Sequence, residues 1–212
     1  MSFRQYPPIQ HISSSKTCLS IQKLTYFIRT TPLWLFPSLL EEFDLLLKDS
    51  LESILNIHLE ANSWILATLP VSFGGLGVRR VIDICLPAFL ASTHGVLDFI
   101  KSILFYHGDG IRISHLDDAL NKWSILSNNS NFLASPSVQK QWNRIQASNI
   151  YQTVLSSSTC EADEARFHAI KQKESGTWLQ TIPSPNIGTL IDSKSFRIAV
   201  GLRLGIKICF PT

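Results

Sequence analysis

Charge is scarce in this chain. Only 17% of its 212 residues are Asp, Glu, Lys or Arg, while 45% are hydrophobic. That balance excludes a chain disordered by composition and leaves one able to fill a core. It also raises the mean hydropathy to +0.13, so an apolar face is expected to remain exposed, as on a piece separated from a neighbour or prone to self-association. Cysteine pairs are missing as well. Cys18, Cys85, Cys160 and Cys209 stand far apart with no Cys-x-x-Cys, which argues against a disulfide framework and fits a reducing compartment. The N-terminal stretch has no apolar signal core. No uninterrupted apolar run approaches the roughly 20 residues that span a bilayer; the nearest, 86–105, is broken by Ser92, Thr93, His94, Asp98 and Lys101. The expected location is intracellular, nuclear or cytoplasmic, and off the membrane. The net charge of +3 and pI of about 8.7 suit a nucleic-acid partner without requiring one.

Catalytic patterns are absent too. The serines lack a Gly-x-Ser-x-Gly elbow. Gly74-Gly75-Leu76-Gly77 lacks both the Lys-Ser/Thr of a phosphate loop and the spacing of a dinucleotide loop. His94, His107, Asp109, His115 and Asp118 lie close in sequence, but none forms a ligand pair such as His-x-x-x-His on one helix face. Loop and capping roles explain them more simply, so no metal is expected. Asp117-Asp118 sits in HLDDALNKW, a helix start, where the dipole favours carboxylates. No cofactor is implied.

What is present is helical periodicity. Leu39, Leu40, Phe43, Leu46, Leu47, Leu51, Ile54, Leu55 and His58 recur at helical spacing, predicting a helix from Pro37-Ser38 to about Leu59. Glu41, Glu42 and Asp44 lie early in it, and Asp44 and Lys48 have i,i+4 spacing, worth about 0.3 kcal/mol as a pair. A preceding helix is expected from Leu19 to Thr30, its inner face Ile21, Leu24, Phe27 and Ile28, closed by Thr31-Pro32. Asn62 is the expected cap of a short helix carrying Trp64, Ile65 and Leu66.

The glycines of GGLG then predict a sharp structural turn at Gly74, Gly75 and Gly77, with Leu76 driven into the core. Arg79 and Arg80 open the next helix. Its apolar set from Val81 to Leu104 is too wide for one face, so it should be largely buried, with a kink or restart at Pro87. Beyond it come a loop at HGDG, a helix capped by Ser114, a polar linker at Ser127–Asn131, and a helix from Pro136 to about Leu155. Further helices are expected from Glu161 to Glu174 and from Asp192 or Ser193, with a loop at TIPSPNIGT between them. Neither a convincing strand nor an internal repeat is visible. The fold class is all-α: an irregular helical bundle with a long buried helix after a Gly-Gly-Leu-Gly turn.

Three blocks also carry a resemblance. KLTYFIRTTPLW, LPVSFGGLGVRR…LPAFLAS and ESGTWLQTIPSPNIGTLIDSKSFRIAVGLRLG resemble, in that order, the region after the polymerase active site in reverse transcriptases of non-LTR (LINE-like) retrotransposons. The resemblance covers roughly residues 20–212 and implies a fragment, with a thumb-like helical region at 19–127 and a connector-like helical region at 128–212; residues 1–18, with Pro7-Pro8 and the Ser13–Ser15 run, read as an irregular tail. The family's aromatic-Ala-Asp-Asp hairpin is not matched, so no catalytic residue carries over, and an RNA-directed DNA polymerase activity is not expected of this chain. The palm would lie upstream, and a zinc knuckle and nuclease downstream. The partner implied is RNA or an RNA–DNA hybrid. Arg79 and Arg80, placed after a glycine turn at a helix start, are the candidate phosphate contacts. Lys194 and Arg197 belong to a second basic set with Arg203 and Lys207 that does not share one helical face. A helical protein-interaction module is the alternative.

Overall fold

The computed structural model describes residues 24–104, 112–127, 135–158 and 160–206. Among them the chain is all-α. Eight α-helices follow in order: α1 (Thr25–Thr30), α2 (Pro37–Leu55), α3 (Ala61–Thr68), α4 (Val81–Ile103), α5 (Leu116–Leu126), α6 (Gln139–Ser156), α7 (Glu161–Ile170) and α8 (Ser193–Leu204). Short 3-10 segments at Leu33–Leu35, Val71–Phe73, Lys173–Leu179 and Pro185–Ile187 join them. No strand occurs among the described residues.

The chain divides into two compact units that do not follow the order of the sequence. Among the described residues, one contains 45–79 and those between 150 and 206; the other contains 24–44 and those between 80 and 149.

The second unit is built on α4. Val81, Ile84 to Ala91 and Thr93 are buried, and burying each Leu or Phe of this set contributes about 1.5–3 kcal/mol. Trp34 meets Phe89 edge-on at 4.5 Å, and Trp123 meets Trp142 at 5.0 Å. The helix runs through Pro87 without a restart, although a proline there withholds an N–H from the ladder; the apolar residues on both sides of it are buried and hold it. Thr93, polar in an apolar stretch, donates its hydroxyl to the carbonyls of Phe89 (3.0 Å) and Leu90 (2.9 Å), so its burial leaves no unpaired donor. Past Gly95 the helix exposes Val96, Phe99 and Ile103. Among the described residues α4 is the one helix long and apolar enough to cross a membrane, and more than half of its most apolar window is buried inside the protein.

In the first unit Leu51, Leu55, Leu59, Leu66, Leu69, Leu76, Tyr151, Phe167, Phe196, Val200 and Leu204 are all buried. Leu76 is fully enclosed at 0% exposure, the anchor its place between glycines predicts.

Several local expectations are corrected. Asp44 does not pair with Lys48. It is buried and accepts from the backbone N–H of Val81 (2.7 Å) and Ile82 (3.1 Å), while Lys48 lies 3.7 Å from Glu52. A buried carboxylate gains more from two otherwise unpaired N–H groups of a helix start than from a solvated ammonium. Helix α2 ends at Leu55, because Asn56 takes a left-handed conformation with φ of 50°. His58 therefore lies outside the helix and is exposed, as are Leu39 and Leu46 on α2 itself. Asn62 lies inside α3, whose N-cap is Glu60. Ser114 is not the cap of α5; His115, at φ 62°, holds that position. Helix α6 begins at Gln139, three residues after Pro136, and the chain from Glu161 is α-helical only to Ile170 before tightening into 3-10 geometry. In α1 the expected inner residue Phe27 is 56% exposed, and Ile28 alone is buried. The loop expected at HGDG, residues 128–131 of the expected linker, and the stretch before Leu24 lie outside the described residues.

Candidate nucleic-acid interface

The glycine turn takes its shape from the end of α3. A helix leaves its last carbonyls without partners, and here the turn supplies them. Leu76 N–H donates to Ala67 O and Gly77 N–H to Leu69 O, both at 2.9 Å. To fold back this far the chain passes through left-handed angles at Gly74 (φ 87°) and Gly77 (φ 78°), which side chains disfavour. Gly75 has a different reason. A Cβ there would overlap the Leu69 carbonyl and stand 2.6 Å from Leu66 O, and backbone atoms cannot move aside cheaply.

A second group of atoms holds the turn from outside. Arg203, in the last turn of α8, is 5% exposed. Its Nε donates to Gly75 O (3.2 Å), its Nη2 to Val71 O (2.9 Å), and its Nη1 to Ser175 O (3.0 Å) and Ser175 Oγ (3.3 Å). The planar fork suits this task, since several donors leave it in fixed directions. Burial pushes the guanidinium pKa down, yet an arginine stays charged at any physiological pH. Arg166 completes the arrangement: it donates to the carbonyl of Arg203 (3.1 Å) and is itself held by Asp163 (2.9 Å). Sequence reasoning placed Arg203 in a diffuse basic set and missed this role. No signal within the sequence neighbourhood of Arg203 distinguishes it, because its partners lie up to 132 residues away.

The start of α4 has its own electrostatics. The Asp44 carboxylate sits against the first two N–H groups of the helix. Burial pushes its pKa up, and the two backbone bonds and the Arg80 charge pull the other way. Arg80 is half-buried and grips Asp83 with two bonds, Nε to Oδ2 at 2.7 Å and Nη2 to Oδ1 at 2.8 Å. The i,i+3 spacing of opposite charges is a sequence signal for this pair, and sequence reasoning passed over it.

The remaining candidate cations are dispersed by environment. Arg79 is half-buried. Lys194 is exposed in the first turn of α8, whose N-cap Asp192 accepts from the N–H groups of Lys194 and Ser195, both at 3.0 Å. The Ser195 hydroxyl, followed by these backbone bonds, holds the Asp192 carboxyl below its usual pKa. Arg197 is half-buried, and its Nε is enclosed without a hydrogen-bond partner. Among the acidic and histidine candidates, Asp117 and Asp118 are exposed in the first turn of α5, and His115 Nδ1 lies 3.7 Å from Asp118. His107 and Asp109 lie outside the described residues. No group of three potential metal ligands occurs among the described residues.

Compared with protein-family models, curated proteins and solved structures, the chain finds no match.

Proposed function

We propose that this chain is a non-catalytic helical segment related to the thumb and connector of a non-LTR retrotransposon reverse transcriptase, and that it contacts the phosphate backbone of RNA or an RNA–DNA hybrid inside the cell. The observation that carries the reading is the placement of Arg79 and Arg80. They follow a turn fixed by three glycines and a buried arginine, and they lead into the long helix. Lys194 and Arg197 are secondary candidates on α8. The free thiols of Cys85 and Cys160 suit the reducing interior.

The test is a salt titration of a labelled RNA–DNA hybrid against the wild type and an Arg79→Gln/Arg80→Gln double variant. Non-specific binding with a Kd on the order of 10⁻⁴ to 10⁻⁶ M is expected at physiological salt. For every phosphate that the variant no longer neutralises, the log–log slope should flatten by about 0.7 to 0.9. Equal affinities and slopes would reduce the two arginines to ordinary surface charges.

A helical protein-interaction module is the second reading. The exposed stripe Val96, Phe99 and Ile103 on α4 favours it, since apolar residues at this spacing form one helix face. Concentration-dependent sedimentation with no hybrid binding would support this alternative, and a monomer at every concentration would count against it.

A further inference from the structure

We propose that Asp83 masks Arg80, holding its guanidinium in an autoinhibitory contact that a nucleic-acid phosphate must displace. The inference rests on the phosphate-binding reading above and adds the regulation of that site.

Phosphate and carboxylate compete for the same edge of a guanidinium. Each presents two oxygens that meet a pair of parallel N–H bonds. In Arg80 the pair Nε and Nη2 already meets Oδ2 and Oδ1 of Asp83 at 2.7 and 2.8 Å. Asp83 therefore occupies the edge of Arg80 that a phosphate would use, and with the matching geometry. The other anion position of the same helix start is also filled from within the chain. The N–H groups of Val81 and Ile82, where a helix ordinarily receives a phosphate, are taken by the buried Asp44 carboxylate. The two carboxylates differ in their freedom to leave. Asp44 is buried, whereas Asp83 and its Arg80 partner are half-buried. Asp83 also stands three residues after Arg80, in the first turn of the helix that Arg80 caps. The consequence is a helix start whose charge is neutralised until a phosphate competes for it, which keeps resting attraction to other anions low.

The experiment measures binding of a labelled RNA–DNA hybrid by anisotropy across a salt series. Asp83→Asn should free Arg80 to meet a phosphate without competition, steepening the log–log slope by up to about 0.7 to 0.9 and raising affinity by up to about four- to five-fold at about 0.15 M salt. In the wild-type background Arg80→Gln should flatten the slope by less than one such step, because Asp83 competes with the phosphate for Arg80. In the Asp83→Asn background it should abolish the gain. Asp117→Asn changes the net charge equally on another helix and should leave the slope unchanged. Should Asp83→Asn lower the helical circular dichroism signal, Asp83→Ser takes its place, because serine also suits a helix first turn.

A wild type that binds, with Asp83→Asn and Asp83→Ser matching its slope, overturns the mask and leaves the nucleic-acid reading standing. An equal gain from Asp117→Asn, or a gain that persists without Arg80, overturns it as well. If neither the wild type nor the unmasked variants bind, both readings fall together.

Discussion

Replacing Arg203 by methionine should destabilise the chain by about 2–4 kcal/mol, and the geometry of the turn shows where that loss arises. Four hydrogen bonds disappear, but the acceptors are not equally stranded. Val71 O keeps the N–H of Gly74 at 3.1 Å, and Ser175 O keeps the indole N–H of Trp178 at 3.0 Å. Gly75 O loses its buried bond from Nε, and an unpaired buried acceptor costs about 1–3 kcal/mol. The bonds to Val71 O, Ser175 O and Ser175 Oγ add charge-assisted strength that water does not replace. Relief of the buried cation's desolvation offsets part of the total. Lysine at 203 should be no better than methionine. Its single ammonium cannot span the two sides of the turn as the planar fork does, yet its charge still has to be buried. Urea unfolding followed by tryptophan fluorescence would measure both variants. For a chain of this length the methionine variant should melt about 4–16 °C lower. A variant within about 0.5 kcal/mol of the wild type, the usual effect of a plain surface change, or full stability with lysine, would refute the assignment of Arg203 as the clasp of the turn.

Two further outcomes follow from the same geometry. Gly75→Ala should cost about 3 kcal/mol or more, because the new methyl meets the carbonyls of Leu69 and Leu66 rather than a yielding side chain; thermal unfolding within a degree or two of the wild type would contradict it. Asp44→Asn should change the pH dependence of stability. The folded carboxyl pKa is raised above the ordinary 3.8, so its contribution is fully present below that value and is lost as pH rises through the folded pKa. The wild type should therefore lose stability relative to Asp44→Asn on going upward from pH 3.8, and a constant difference between the two in urea titrations would refute the shift.

Local demands were legible in the sequence, and distant ones were not. Leu76 was legible because glycines on both sides leave it no other role than anchoring. A helix start at Asp192 or Ser193 was legible because a capping carboxylate and the N–H groups it accepts are neighbours in sequence. Asp44 was not. Its local pattern points to Lys48 four residues on, while its actual partners are the N–H groups of Val81 and Ile82, thirty-seven and thirty-eight residues away. Nothing in PSLLEEFDLLLK distinguishes a carboxylate that will be buried from the exposed Glu41 and Glu42 beside it. The apolar residues of α2 illustrate the same limit. Periodicity located the helix, but Leu39 and Leu46 remain exposed, since periodicity states which residues share a face and not whether anything covers it. At the candidate interface the glycines and arginines were visible as residues. The i,i+3 spacing of Arg80 and Asp83 was readable and passed over, whereas the hold of Arg203 on the turn became visible only with the backbone in place.

The reach of Arg203 also bears on the order in which the protein matures. Its bond to Gly75 closes a span of 128 residues, and the intervening chain includes segment 80–149 of the other unit. A ribosome adding about 5–20 residues per second leaves the turn without its clasp for roughly 6 to 25 seconds after Gly75 is made. During that interval the carbonyls of Val71 and Gly75 have no guanidinium to meet, and the long apolar helix after them has already been synthesised. Nascent chains halted before Arg203 should therefore be more readily cleaved by protease in this turn, and more dependent on chaperones, than chains released beyond it.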